Sequence, residues 1–189
     1  MNLKHLTFKG GIHIPEFKEL SENAPIEKAK AVAEVIIPLT QHVGAPCEPT
    51  VKVGDEVKIG TVIGDVEASL YAPVHSSVSG VVKKIEKRYT LDGSSATCVT
   101  IENNFKDEFV FQESDKKIED FSTEEIIEAV KKAGVIGMGG AAFPAHNKLS
   151  GALKGIDSII LNGAECEPYL TCDHRMMLCL LYTSDAADD

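Results

Sequence analysis

A glycine-rich loop in the second half of the sequence has the composition of an anion-binding turn. It spans Gly134–Lys148 and reads GVIGMGGAAFPAHNK. Its closely spaced glycines are Gly137, Gly139 and Gly140. Glycines leave backbone N–H groups accessible, and a helix beginning near Phe143 and Pro144 would direct its positive end into the loop. Lys148, about one turn into that helix, adds a positive charge, so the sequence predicts a phosphate site.

The same glycine spacing has a second interpretation. The loop is neither a Walker motif nor a G-x-G-x-x-G dinucleotide fingerprint. A structural turn, in which the glycines serve only to allow positive φ angles, therefore remains an alternative on spacing alone.

A second loop, Asn162–Pro168, combines amide and carboxylate side chains after a predicted buried strand, Ile156–Leu161. Loops at the carboxyl ends of strands form the ligand crevices of α/β sheets. Asn162 offers a donor and acceptors, and Glu165 and Glu167 place two carboxylates close together. These groups suit the hydroxyls and ring edge of a flavin or of a nicotinamide ribose. A solvated acidic turn is the alternative interpretation.

The cysteines show none of the spacings typical of metal sites. They are Cys47, Cys98, Cys166, Cys172 and Cys179. None forms a C-x-x-C pair, and the intervals between the last three are too wide for a zinc knuckle or a ferredoxin run. We therefore expect reduced thiols that act as small hydrophobic residues, and no metal site in this chain. The lone His13 is likewise predicted to be structural.

These loops need a framework to position them, and residues 35–103 predict a β structure. Stretches rich in β-branched residues recur there and are interrupted by glycine, as in VKVGDEVKIGTVIGDVEA. Short strands about every 8–12 residues with glycine-containing turns are typical of a small sandwich or barrel. Val78–Val82 echoes the earlier V-x-V-G pattern, which predicts two related halves.

The loops themselves belong to a second predicted region, residues 122–178. Ser122 and Glu125 have the spacing of a capping box at a helix start, and Gly134 is placed to end that helix. The apolar face of this helix comprises Ile126, Ile127, Val130 and Ala133. Helix, glycine-rich loop, helix, strand and polar loop form the opening of an α/β layered domain.

The remaining segments are predicted to be connections or termini. Residues 1–34 form an extended N-terminal segment that contains FKGGIHIP, and residues 104–121 form a charged linker. Residues 179–189, CLLYTSDAADD, carry no helical or strand period. They resemble the translated adapter tails that end many fragmentary reading frames. We therefore expect a non-native tail after Leu178 and a larger natural protein.

The composition argues against two classes of partner. The chain has 189 residues, 19 Lys+Arg against 29 Asp+Glu, a net charge of −10 and 6% aromatic residues. Nucleic acids and anionic membranes both need clustered cations, so we expect neither as a direct partner. The longest apolar run, Met176–Tyr182, has seven residues, whereas a membrane span needs about 20. Without an apolar signal region at the N-terminus, the chain is expected to be soluble and cytosolic.

Residues 35–103 resemble the biotinyl/lipoyl-like barrel-sandwich hybrid fold. VKVGDEVKIGTVIGD is similar to its first half and APVHSSVSGVVKKI to its second. Carrier members of that fold present a lysine on the hairpin between the halves, but the connection Val66–Tyr71 contains none. The resemblance therefore implies a docking or scaffold module and not a covalent carrier.

The two loops together resemble those of the flavin- and NADH-binding subunit of respiratory complex I. That subunit has a similar Gly-Gly-Ala-x-Phe-Pro loop ending in lysine, followed by a strand and an N-A-D-E-S-E-P loop. Met138 and Ala164 depart from this pattern, because the complex I subunit has arginine and aspartate there. One charged contact of each loop is thus absent from this chain.

The order of all the motifs resembles the RnfC family, the C subunits of Rnf electron-transport complexes, from about Leu6 to Leu178. FKGGIHIP, a barrel module without the carrier lysine, IGMGGAAFPAHNKL and LNGAECEPYLTCDHRMML follow one another in both. The resemblance implies a mixed α+β chain, in which a barrel-sandwich hybrid precedes the first part of a Rossmann-like α/β domain. The cobalamin reductases of bacterial microcompartments share this plan and are the alternative family. A non-catalytic adaptor is the alternative function.

The RnfC resemblance implies FMN and NADH as cofactors. The residues that would hold the FMN phosphate and nearby ribityl groups are Gly137, Gly139, Gly140 and Lys148. Asn162 and Glu165 would contact the flavin or its ribityl chain, and Glu167 would lie towards the nicotinamide. Phe143 is expected to pack and not to stack on the flavin. No side chain is expected to be catalytic, because the flavin itself performs the hydride transfer.

The same resemblance implies a place in a larger assembly. Its partners would be the other Rnf subunits, including the membrane subunits, and ferredoxin through the complex, on the cytoplasmic side of a prokaryotic inner membrane. The [4Fe–4S] clusters of the family lie further along the natural chain, so Cys166 and Cys172 are not expected to be cluster ligands. We therefore expect this fragment alone not to sustain electron transfer.

Overall fold

The computed structural model of the protein describes residues 14–91, 93–110, 117–138, 140–152, 156, 158, 162–165 and 167–180. It has two compact units, Lys30–Asp157 and the combination of Met1–Ala29 with Ser158–Asp189, and each is considered by itself. Several predicted features lie outside the described residues. These are residues 8–13 of FKGGIHIP, Gly139, Cys166, most of the strand at 156–161, and the tail after residue 180.

Seven strands form the predicted β module. They are β1 (Glu34–Pro38), β2 (Glu48–Pro49), β3 (Glu56–Val57), β4 (Val62–Asp65), β5 (Val74–His75), β6 (Gly80–Tyr89) and β7 (Ser95–Asn103). One sheet has the order β1-β7-β6-β3 and the other the order β2-β4-β5. Every pairing between these strands is antiparallel. Two small antiparallel sheets built from residues 34–103 agree with the predicted barrel-sandwich arrangement.

The hydrophobic core lies within this β module. β-Branched and leucine side chains from both sheets contribute to it, and the fully buried ones are Leu39, Ile63, Val82, Val99 and Ile101. Burying one such side chain stabilises a fold by about 1.5–3 kcal/mol. The stretches rich in β-branched residues that the sequence analysis singled out therefore supply much of this core.

The start of the predicted linker is attached to the β module. Ile59 N–H donates to Glu108 O over 2.8 Å, and Val110 N–H donates to Ile59 O over 3.1 Å. Ile59 and Phe109 thereby form a parallel bridge. The charge pattern gave no sign of this pairing, because backbone hydrogen bonds do not depend on the side chains that the pattern records. A short 3₁₀ turn, Ile118–Asp120, follows before the first helix.

Helix α1 (Thr123–Lys132) begins and ends as the sequence predicts. The Ser122 hydroxyl accepts from Glu125 N–H, and the Glu125 carboxylate accepts from Ser122 N–H, which completes the capping box. At the other end, Gly134 adopts a φ of 66°. Its N–H donates to Lys131 O, and Val135 N–H donates to Val130 O. This pair of bonds is a Schellman motif, which needs a left-handed residue at the position of Gly134.

Two further helices complete the described structure. Helix α2 (Ala145–Ala152) begins one residue after Pro144. This agrees with the predicted helix start near Phe143 and Pro144. Pro144 itself is held in an antiparallel bridge with Ile136. Helix α3 (Cys172–Leu180) includes the first two residues of the segment 179–189, for which the sequence predicted no helical period. Among the described helices, none combines the length and hydropathy that a bilayer span requires.

Candidate functional site

The glycine-rich loop is closed at its base by backbone pairing. Gly137 N–H donates to Phe143 O, and Ala145 N–H donates to Val135 O, both over 2.9 Å. Together with the bridge between Ile136 and Pro144, these bonds make a short hairpin. Met138 and residues 140–142 are described at its tip, and the chain passes from the hairpin directly into α2. Gly137 and Gly140, two of the three predicted glycines, thus lie on a defined turn beside a helix start.

The tip of this hairpin is open. A Cβ atom placed on Gly140 would meet no described atom within 4 Å, and the nearest atoms to one on Gly137 are backbone atoms of Phe143 at 3.7 Å. Gly140 has a φ of 125° and Ala142 a φ of 47°. The φ of Gly140 is one that the structural-turn interpretation requires. The empty space around it is what a ligand approaching the backbone requires, so this geometry accommodates both interpretations.

Helix α2 brings positive charge to the hairpin. Lys148 is the fourth residue of α2 and is exposed to solvent, with its Nζ 5.8 Å from the centre of the Phe143 ring. An ammonium group over an aromatic face is attracted by the ring quadrupole. The positive end of the α2 dipole adds to this charge. A glycine hairpin, a helix start and a lysine in one place can attract a phosphate.

Two buried polar atoms at the start of α2 also favour a polar ligand. His146 Nδ1 and Asn147 Oδ1 are buried and have no hydrogen-bond partner among the described residues. Buried polar atoms are nearly always paired, so such atoms need an explanation. Burial lowers the pKa of His146, and the charge of Lys131 lowers it further, which favours the neutral imidazole.

Residues of the β module contact both ends of the segment that contains the hairpin. A Cβ atom on Gly134 would overlap the Pro73 carbonyl oxygen, so the end of α1 lies directly against the chain before β5. Asn147 Nδ2 donates to Ser69 O over 3.1 Å. The His146 ring meets the Tyr71 ring edge-to-face with 6.5 Å between centroids. The connection Val66–Tyr71, which lacks the carrier lysine, is therefore a support for the α2 region.

A groove of about 980 Å³ reaches the hairpin from the β module. Its lining includes Ile36, Arg88 and Tyr89 on the sheet side and Gly140 and Ala142 on the hairpin side. Val43 N–H donates to Ala142 O over 3.3 Å beside it. The residues on the sheet side and Val43 were not predicted, because they are distant in sequence from the glycines and show no shared period.

The second predicted loop, Asn162–Pro168, is called the carboxylate loop here, and its described residues belong to the other unit. The Asn162 side chain accepts from Ala164 N–H over 2.9 Å, which forms a local turn. Glu165 Oε1 accepts from Asp173 N–H over 3.0 Å, so this carboxylate caps the start of α3. Desolvation raises the pKa of Glu165, but hydrogen bonds from Asp173 N–H and the Cys172 thiol, with the charge of Lys18, outweigh it and lower the pKa overall.

The structure groups the predicted residues by unit. Gly137, Gly140 and Lys148 lie together in the unit Lys30–Asp157, whereas Asn162, Glu165 and Glu167 lie together in the other. Within the described residues no cluster of three or more His, Cys, Asp or Glu side chains could hold a metal ion. Cys47 and Cys98 are buried, and Cys172 and Cys179 are exposed.

Comparison with known proteins decides the family. The model of the RnfC barrel sandwich hybrid domain matches residues 6–106, more than half of the chain. This protein belongs to the RnfC family. The model of the Nuo51 FMN-binding domain matches residues 130–180, a range that contains both loops. The barrel-sandwich hybrid fold and the mixed α+β class predicted from the sequence are thereby confirmed, as is the resemblance to RnfC.

Curated RnfC relatives cover nearly all of this chain. It is 45% identical over 181 residues to the C subunit of the Na(+)-translocating ferredoxin:NAD(+) oxidoreductase complex of Acetobacterium woodii. It is 41% identical over 174 residues to the proton-translocating counterpart of Clostridium ljungdahlii. It is also 41% identical to the C subunit of the ion-translocating oxidoreductase complex of Pasteurella multocida. These matches take in 90–94% of this chain but only 21–40% of the relatives' lengths.

Proposed function

We propose that this chain binds FMN and forms part of the NADH-oxidising subunit of an ion-translocating NADH:ferredoxin oxidoreductase. The observation that carries the proposal is the open glycine hairpin leading into α2 with Lys148, inside the range that matches an FMN-binding domain. The three relatives described above are named as C subunits of ion-translocating oxidoreductase complexes, two of them ferredoxin:NAD(+) oxidoreductases, which favours this role over a microcompartment cobalamin reductase.

The hairpin residues have the chemistry to hold the FMN phosphate. Gly139 and Gly140 would offer backbone N–H groups, and Lys148 would offer a charge-assisted hydrogen bond. Gly137 would hold the base of this cradle, because its own N–H donates to Phe143 O. A side chain on Gly140 would occupy the open space at the tip and would have to adopt an unfavourable φ. Arginine is absent at Met138, so the phosphate would depend on Lys148 more strongly than in a loop with two cations.

The carboxylate loop would orient the rest of the cofactor. We assign Asn162 and Glu165 to the flavin or its ribityl chain and Glu167 to the nicotinamide side. Amide and carboxylate oxygens accept hydrogen bonds from ribityl and ribose hydroxyls. Because Glu165 Oε1 already accepts from the start of α3, its position is set by that helix. A side chain whose own position is fixed can orient a cofactor, and orientation is one of the protein's contributions to cofactor chemistry.

When bound, FMN would supply the conversion of a two-electron hydride transfer into single-electron steps. The residues of this chain would bind and orient it, and none of them would be a catalytic acid or base. Electron transfer onward would involve the iron–sulfur region and the other subunits, on the cytoplasmic side of the membrane. Since the chain spans at most 40% of the length of the relatives described, we expect no NADH-dependent dye reduction by it alone.

The proposal is tested by titrating FMN with the protein and following flavin fluorescence. We expect saturable binding that Lys148→Ala weakens about tenfold, since a charge-assisted hydrogen bond is lost. Lys132→Ala is the matched control, because Lys132 is an exposed lysine in α1 of the same unit whose partner is Glu128. An unchanged FMN affinity in Lys148→Ala, or no FMN binding by the unaltered chain, would favour the non-catalytic adaptor.

A further inference from the structure

The N-terminal segment Glu16–Glu22 is bonded to the end of the carboxylate loop. Tyr169 N–H donates to Glu16 O over 2.8 Å. Lys18 Nζ donates to two carbonyl oxygens, those of Leu170 at 2.9 Å and Glu167 at 3.3 Å. One ammonium group thus joins the segment to both sides of Tyr169. All these residues belong to the same unit, although about 150 positions separate them in the sequence.

Three further hydrogen bonds extend this attachment to α3. Ser21 Oγ donates to Tyr169 O over 3.1 Å and accepts from Thr171 Oγ1 over 3.0 Å. Arg175 Nη1 donates to Glu22 O over 3.1 Å. The contacts therefore run from the end of the carboxylate loop into the first turn of the helix that Glu165 caps.

Backbone strain marks the same place. Phe17 has a φ of 52° and Tyr169 a φ of 68°. Their rings stack with 5.1 Å between centroids and 12° between planes. Left-handed conformations at residues other than glycine persist only where the surroundings determine them, and they concentrate at functional sites. The two left-handed residues in contact therefore point to a functional role for this segment.

We propose that Glu16–Glu22 is a clasp that positions the carboxylate loop for its ligand, with Lys18 as the principal positioning residue. The inference rests on the proposed function, because it concerns the loop assigned to the cofactor. Lys18 acts by fixing the carbonyl groups of Glu167 and Leu170, and its charge also acts on Glu165. Ligand binding by Glu165 and Glu167 then depends on a segment at the opposite end of the sequence.

Hydrogen exchange measured by mass spectrometry tests the clasp without any cofactor. In Lys18→Met we expect amides of residues 162–174 to exchange about tenfold faster, because the loop opens more often once its fastening is lost. Lys18→Arg should retain the slow exchange, since it keeps a charged donor. Lys28→Met is the matched control, an exposed lysine ten positions along the same unit, and should change nothing. Equal exchange in Lys18→Met and the unaltered chain would overturn the proposal.

A milder variant keeps the test decisive if Lys18→Met loosens the whole chain. Ser21→Ala removes only the bonds to Tyr169 O and Thr171 Oγ1. Faster exchange confined to the carboxylate loop in Ser21→Ala would support the clasp, and unchanged exchange would overturn it. Peptides from β7 report whether the β module has remained folded in either variant.

FMN titration adds the readout that a purely structural role would not move. We expect Lys18→Met to weaken FMN binding about three- to tenfold and Lys18→Arg to restore it. If the unaltered chain binds FMN and Lys18→Met binds it equally well, the positioning role is wrong. If the unaltered chain binds no FMN, the proposed function fails, while the exchange measurement still decides whether the clasp exists.

Discussion

The β module and the helical region that follows it differ in how they use their side chains. Val99 and Ile101 of β7 are fully buried between the sheets. Helix α1, all ten of whose residues are described, has none that is buried, and its Ile126 is 40% exposed. One region is stabilised by its own core, whereas the other depends on caps, turns and contacts with the first. The framework is therefore stabilised by apolar burial, whereas the region that carries the glycine hairpin is stabilised by local hydrogen bonds and by contacts with that framework.

Polar groups show the same contrast. In the β module, His42 Nε2 accepts from Ala72 N–H over 3.2 Å, and the Cys47 thiol donates to Ala72 O over 3.2 Å. These groups satisfy one another, although Thr100 Oγ1 of β7 is buried without a partner among the described residues. Around the glycine hairpin, Lys148 is exposed and the buried His146 Nδ1 has no partner among the described residues. The candidate binding chemistry therefore lies on the less self-contained region.

The largest expected effect is on the core of the β module. Ile63→Ala should lower the free energy of unfolding by about 2–5 kcal/mol, because a fully buried side chain leaves a cavity. Chemical denaturation measures this. Leu91→Ala, at a fully exposed position, is the control and should change stability by less than about 0.5 kcal/mol. Equal effects of the two substitutions would contradict the account of where the stability lies.

The next largest expected effect is a difference in thiol reactivity between the β module and the helical part of the chain. Desolvation by burial, with the charge of Asp65, raises the pKa of Cys47 to about 11. Because the thiolate is the reactive form, Cys47 should be alkylated at least about a hundredfold more slowly than the exposed Cys179 at pH 8. Mass spectrometry after timed iodoacetamide labelling measures both rates. Rapid labelling of Cys47 in the folded chain would show that the core is open.

The raised pKa of Cys47 also predicts that the stability of the folded chain falls as the pH rises above about 9. An unfolded Cys47 loses its proton near pH 9, whereas the folded one keeps it until about pH 11. The contribution of this thiol is therefore fully present below about pH 9 and is lost as the pH rises through 11. Cys47→Ala should lack this part of the decline. Denaturation curves of both proteins between pH 8 and 11 isolate it from the titration of lysines and tyrosines.

The smallest expected effect on stability is at Gly134, where helix α1 ends against the β module. Gly134→Ala should destabilise by about 1–3 kcal/mol, because alanine disfavours the positive φ and its Cβ would overlap Pro73 O. Gly151→Ala is the matched glycine control within α2, where no described atom lies within 4 Å of the new Cβ. It should stabilise by about 0.5–1 kcal/mol. Thermal denaturation of the two variants should therefore shift in opposite directions.

The features that sequence could predict are those set by neighbouring residues. The capping box of Ser122 and Glu125 and the helix end at Gly134 need only a few positions to be recognised, and both were confirmed. The short β-branched stretches of residues 35–103, interrupted by glycine-containing turns, likewise predicted a small sandwich or barrel, because strands and turns are both set by neighbouring residues.

The features that sequence missed join distant positions. Tyr71 meets His146, and Lys18 binds Leu170 O, across 75 and 152 residues. Such pairs leave no period or spacing in the sequence, and lysine at position 18 looks like any surface lysine. The cofactor roles of the site residues were taken from a family resemblance. The structure places Gly137, Gly140 and Lys148 around one hairpin, and their roles in binding FMN stay a proposal.

The central claim is that the glycine hairpin and Lys148 hold a flavin phosphate, and a comparison of FMN with riboflavin tests it most directly. The two ligands differ only by the phosphate, so their affinity ratio isolates it. We predict that the chain binds FMN at least about tenfold more tightly than riboflavin and that Lys148→Ala removes most of this preference. Equal affinities for the two ligands, or a preference that persists in Lys148→Ala, would contradict the account.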